Sequence, residues 1–110
     1  MQATVEIEAG ICGFRTSASA CSEDGQNVVF EIKSPCENIR TLAGRLQAHG
    51  PIDAYQEITP GETSVVLAAG RETLKGGCAG CAVPSGLFKC MQVAAGLALP
   101  QDIAIRLSAN

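Results

Sequence analysis

Residues 76–82, Gly-Gly-Cys-Ala-Gly-Cys-Ala, set two thiols three positions apart in a glycine-rich stretch, and Val83-Pro84-Ser85 follows as the opening of a helix. Two cysteines at that spacing can share a metal ion, form a redox pair, or merely occupy a tight turn. A four-thiolate site, structural zinc or an iron–sulfur centre, needs two further ligands. The chain holds four other cysteines, Cys12, Cys21, Cys36 and Cys90. The elements between them decide which ones return to the Cys78/Cys81 pair.

From Ala3 to Ala9 the pattern alternates, with Val5, Ile7 and Ala9 on one face and Thr4, Glu6 and Glu8 on the other, as a half-buried strand requires. Residues 10–13 read as a turn and Phe14 to Cys21 as a second strand. Asp24-Gly25 then makes a hairpin turn into a third strand, Val28 to Lys33, with Val28, Phe30 and Ile32 inward. At Ser34-Pro35-Cys36-Glu37 the spacing predicts a capping box: Ser34 caps, Pro35 takes the first helical position, and Cys36 the second. Ile39, Leu42, Ala43 and Leu46 continue that helix to Gly50-Pro51.

Residues 51–60 read as loop, with Ala54 to Ile58 as a possible short element. Residues 62–74 read as a second helix on Val65, Val66, Ala69 and Leu74, although the β-branched pair also fits a strand. A third helix runs from Pro84 to Leu97 with Leu87, Cys90, Met91, Ala94 and Leu97 on one face, and Ile103, Ile105 and Leu107 make a last strand. The order β-β-β-α-α-α-β describes one α+β domain over residues 1–110, two layers deep, with a four-stranded mixed sheet covered by helices on one face. A chain of this size buries about two-thirds of its unfolded surface, enough for one modest core. With aromatics at 4% and apolar residues at 46%, that core must come from Ala, Val, Ile and Leu.

Short connections make successive elements reverse direction. The first strand rises to Cys12, the second descends to Cys21, and the third rises to Cys36. The first helix descends, the second returns, and the loop holding Cys78 and Cys81 arrives at the upper end. Cys12, Cys36, Cys78 and Cys81 therefore converge as candidate metal ligands for an iron–sulfur cluster or zinc, and Cys21 is left below. Thiols near helix starts gain from free N–H groups and the positive end of the helix dipole, which favour the thiolate.

The segment Gly77-Cys78-Ala79-Gly80-Cys81-Ala82-Val83-Pro84-Ser85, with Leu87 and Lys89 after it, resembles the C-terminal scaffold domain of the NifU family, over residues 76–99. That family carries a Gly-Ala-Cys-x-x-Cys-Pro-x-Ser segment before a helix with a Leu-Lys pair. The resemblance implies a small mixed sheet with helices on one side, and Cys78 and Cys81 as ligands of an iron–sulfur cluster shared between subunits. Cys12 and Cys36 suggest instead a ligand set completed within one chain.

Plainer roles stand beside these. Cys90, on the apolar helix stripe, reads as a buried thiol packing as a small hydrophobe; Cys21 precedes an exposed turn with no evident role. Cys12 reads equally as a residue packed beneath the first hairpin, and Cys36, three residues before Ile39, as one partly buried without a ligand. His49 in the last turn of its helix suits the negative dipole end. The glycines around Cys78 lack the Lys-Ser or Lys-Thr pair of a phosphate loop.

The net charge of −3 and the scattered basic residues exclude nucleic acid as an expected partner. No window approaches a membrane span, and the N-terminal stretch lacks a basic region followed by an apolar run, so the expected location is cytoplasmic. In a reducing compartment six cysteines point to metal or thiol chemistry more than to disulfides.

The expected function is a cysteine-cluster protein binding a metal or an iron–sulfur cluster, as a scaffold, carrier or structural site, without catalytic residues and more a binder than an enzyme. Two alternatives remain open: a thiol redox or sulfur-carrier protein with Cys81 as nucleophile and Cys78 as resolving thiol, and an interaction module with packing cysteines. The partners this reading allows are a second copy of the chain, as a homodimer, and a protein acceptor of a cluster.

Overall fold

Alternation of side chains builds the sheet. In the computed structural model, which describes residues 1–110, strands β1 (Gln2–Glu8), β2 (Arg15–Cys21) and β3 (Asn27–Lys33) turn Ala3, Val5, Ile7, Thr16, Ala18, Ala20, Val28, Phe30 and Ile32 to one face. Glu6, Glu8, Arg15, Glu31 and Lys33 lie exposed on the other. The helices α1 (Glu37–His49), α3 (Val65–Thr73) and α4 (Val83–Ala94) form the second layer, α4 over β1 and β2 and α1 over β3. The fold is the expected two-layer α+β arrangement.

The sheet order is β1-β2-β3-β4, and all three pairings are antiparallel. Here the fourth strand differs from expectation. It is β4, Ile52–Asp53, paired with Asn27 and Val28 of β3, while residues 103–107 form no strand. Ile52 is fully buried, and the Ala54 N–H donates to Gln26 O at 2.8 Å just beyond it. Two residues are too few to carry a periodic signal, whereas Ile103, Ile105 and Leu107 carry one and find no partner strand within the chain.

The core is aliphatic: Ile39, Leu42 and Leu46 of α1 meet Val66 of α3, Leu87 and Met91 of α4, and Val28, Ile52 and Ala20 from the sheet. Small residues permit the close approach of α4. A Cβ at Gly86 would stand 2.5 Å from Ile7 Cδ1, and one at Gly70 of α3 would stand 2.7 Å from Pro84 Cγ. The start of α4 is thereby wedged between β1 and the end of α3.

At the lower end, α2 (Ala54–Glu57) is capped by Asp53, whose carboxylate accepts from the Tyr55 and Gln56 N–H groups. Buried Glu57 accepts from Ser64 Oγ at 2.9 Å, Val65 N at 2.6 Å and Val66 N at 2.9 Å, closing the start of α3. The second helix is thus real but begins at Val65 rather than residue 62, because Ser64 and Glu57 fix its first turn.

Candidate metal centre

The β1–β2 turn and the exit of β3 lie together because Glu8 pairs with Arg15 and Ser17 with Lys33. Cys12 sits exposed on that turn, where Gly13 takes φ 73°, a left-handed conformation suited to glycine. A buried hydroxyl ties the turn's strand to the next element: Thr16 Oγ1 donates to Ser34 Oγ at 2.9 Å, and the Cys36 N–H donates to the same oxygen at 3.1 Å. Arg40 Nη1 then closes over the loop, donating to Pro35 O at 2.9 Å and Ser34 O at 3.3 Å.

This arrangement corrects the expected capping box. Ser34 binds the Cys36 amide rather than an amide inside the helix, so Cys36 itself is the N-cap and α1 starts at Glu37. No side chain caps α1. Its first free N–H groups open beside a half-buried thiol.

The chain returns to this end through α3. The Cys78 N–H donates to Lys75 O at 3.0 Å, forming the short 3-10 turn Gly76–Cys78, and the Cys81 N–H donates to Cys78 O at 3.0 Å. Cys78 is exposed, and Cys81 is half-buried immediately before Ala82, the N-cap of α4. That helix, too, lacks a side-chain cap. It runs from Val83 to Ala94, shorter than expected, because Gly96 at φ 75° reverses the chain behind it.

Opposing influences act on the Cys81 thiol. Burial pushes its thiol up, the Val83 N–H donating to the sulfur opposes that, and negative charge on Cys12, Cys78 and Cys36 adds to the rise. Strand register puts the Cys12 turn and Cys36 at one end of the sheet, and the packing of Gly86 on Ile7 puts the start of α4, with Cys81 and Cys78 before it, at the same end, while Cys21 lies exposed at the far end of β2. Cys90 is buried under β2, where burial raises its thiol and the Ala20 N–H lowers it.

The four thiols share one end of the fold without forming a cage. All six cysteines are free, and in this conformation no group of three or more Cys, His, Asp or Glu side chains is arranged to hold a metal ion.

The sequence profile of a family of unknown function, DUF6951, matches residues 3–107. The chain belongs to this family. Comparison with curated proteins and with solved structures finds no match. The DUF6951 span takes in the four neighbouring cysteines, every helix and the segment 103–107. His49 stands at the opposite end of α1, its Nδ1 3.4 Å from Gly50 O, and no helix is long and apolar enough to cross a membrane.

Residues that position the thiols escaped the sequence reading. Thr16 lies within the second strand, and its place on the inward face, otherwise apolar, is the signal that its hydroxyl has a buried partner. Arg40 carried no such signal, because its contacts are to backbone carbonyls of a loop whose shape the sequence did not specify.

Proposed function

We propose that this protein binds a metal through Cys12, Cys36, Cys78 and Cys81, either as an iron–sulfur cluster that it stores or delivers, or as zinc that staples one end of the fold. The observation that carries this reading is the return of four thiols, from separate segments of the chain, to the end of the sheet where β1 and β3 finish and α1 and α4 begin. Two uncapped helix starts support it. The N–H groups of α1 and α4 would stabilise thiolates or hydrogen-bond cluster sulfides, whereas α2 and α3 at the other end have their own carboxylate and hydroxyl caps. The resemblance of residues 76–99 to the NifU scaffold domain points toward a cluster. Where that family has a strand ahead of its motif this chain has α3, so the resemblance stays local to the motif, and Cys12 and Cys36 suggest a set completed in one chain.

The thiol redox reading is less favoured, since burial raises Cys81 where an activated nucleophile needs a lowered thiol. Protein purified without oxygen tests the proposal by its metal and acid-labile sulfide content and its visible absorption. Bound iron with sulfide and a brown colour identifies a cluster, and colourless protein with stoichiometric zinc identifies a staple. Either must be lost in the Cys78→Ser/Cys81→Ser double variant and kept in Cys21→Ser. Metal-free protein, or equal metal in the double variant, overturns the proposal.

A further inference from the structure

The open edge of the sheet and the exposed tail match one another. The Ser22 N–H donates to Met1 O at 3.0 Å and the Ala9 N–H donates to Phe14 O at 3.2 Å, so odd-numbered residues of β1 face β2 in hydrogen bonding. By alternation the N–H and C=O groups of Gln2, Thr4, Glu6 and Glu8 point away from β2, and no strand lies beyond them. An edge with a row of free backbone groups is a template for another strand.

The tail has the pattern of such a strand. Ile103, Ile105 and Leu107 alternate with Asp102, Ala104, Arg106 and Ser108, yet they are 61%, 70% and 93% exposed. How the chain leaves α4 is well defined: the Leu97 N–H donates to Gln92 O at 2.7 Å and the Gly96 N–H to Val93 O at 3.0 Å, with Gly96 in the left-handed region. That turn sends the tail into solvent, and the molecule measures 44 Å along its longest axis against 28 Å on the others.

We propose that residues 102–108 form a strand that adds to the β1 edge of a second copy, with the exchange made reciprocally in a two-fold dimer. Seven residues match the seven of β1. Placing Ile103, Ile105 and Leu107 level with Ala3, Val5 and Ile7 extends the apolar face toward α4, where Val5 and Phe88 are only partly buried. The opposite face supplies charge complementarity. Arg106 joins Glu6 and Glu8, of which Glu8 alone has a bonded cation, Arg15. Exchange of one element in a closed pair satisfies both edges with no new fold.

Sedimentation of the full chain, reduced and treated with chelator so that thiols and metal do not contribute, gives the test. The wild type is expected at twice the 11.3 kDa chain mass, with slowed hydrogen exchange at residues 103–107. Ile105→Asp should raise the dimer dissociation constant more than about tenfold, and Thr4→Pro should do the same by removing an outward N–H without breaking a bond to β2. Should Thr4→Pro fail to fold, Ile105→Asp, in an exposed segment, still decides. A monomeric wild type, whether its tail amides are exposed or protected on their own edge, overturns the proposal, as does a dimer indifferent to Ile105→Asp.

Discussion

Thr16 shows how a single hydroxyl can hold a loop it does not enter. Its bond to Ser34 fixes the oxygen that in turn holds the Cys36 amide. Thr16→Val keeps the shape but removes the donor, so it should cost about 1 kcal/mol in urea unfolding and weaken metal retention more than stability. Elsewhere, two hydrogen-bonded carboxylates are depressed on folding and contribute to the acid response. Asp24 is held far below the usual carboxylate range, chiefly by the Asn27 side chain and then by the Asn27 and Gln26 N–H groups; Asp53 is lowered chiefly by the Gln26 side chain. A carboxyl depressed on folding contributes its full stability above the unfolded pKa, and that contribution is lost as pH falls through the folded value. The melting temperature should therefore hold steady from pH 7 to about 5 and fall below about pH 4. Asp24→Asn should melt lower at neutral pH and show a shallower acid decline.

Among the elements, α3 depends on a partner distant in sequence. Glu57→Ala would leave the Val65 and Val66 N–H groups and Ser64 Oγ without their acceptor, a loss of about 1–3 kcal/mol by urea unfolding. Ser64→Ala should cost about 1 kcal/mol, and the double variant less than the sum, because both side chains serve one helix start. Gly70→Ala gains about 1 kcal/mol of helix propensity but drives a methyl into the rigid Pro84 ring. A net loss of up to about 2 kcal/mol is expected, together with poorer metal retention, since Pro84 seats the helix that follows Cys81. These contacts explain what was legible in the sequence. Strands β1 to β3 and helices α1 and α4 declared themselves through alternation and helical spacing, and direction reversal sets which end of the sheet each connection reaches. The misplaced strand at 103–107, the two-residue β4 and the role of Ser34 turned on which partner a segment meets, and local pattern does not encode that.

At the scale of the whole molecule the two ends differ in kind. The lower end is closed by Asp53, Glu57 and Ser64, while the upper end presents thiols and two helix starts without side-chain caps. A ligand bound at the upper end should stabilise the fold by mass action, so chelation should lower the melting temperature of wild type and leave the Cys78→Ser/Cys81→Ser variant unmoved. The measurement that bears most directly on the convergence of the four thiols is alkylation of each cysteine, followed by mass spectrometry before and after metal is stripped. Cys12, Cys36, Cys78 and Cys81 should resist the reagent together in the metal-loaded protein and be released together by chelator, with Cys21 reactive and Cys90 slow in both states. Cys12 or Cys36 reacting as fast as Cys21 while metal is still bound would contradict a single site made from the four.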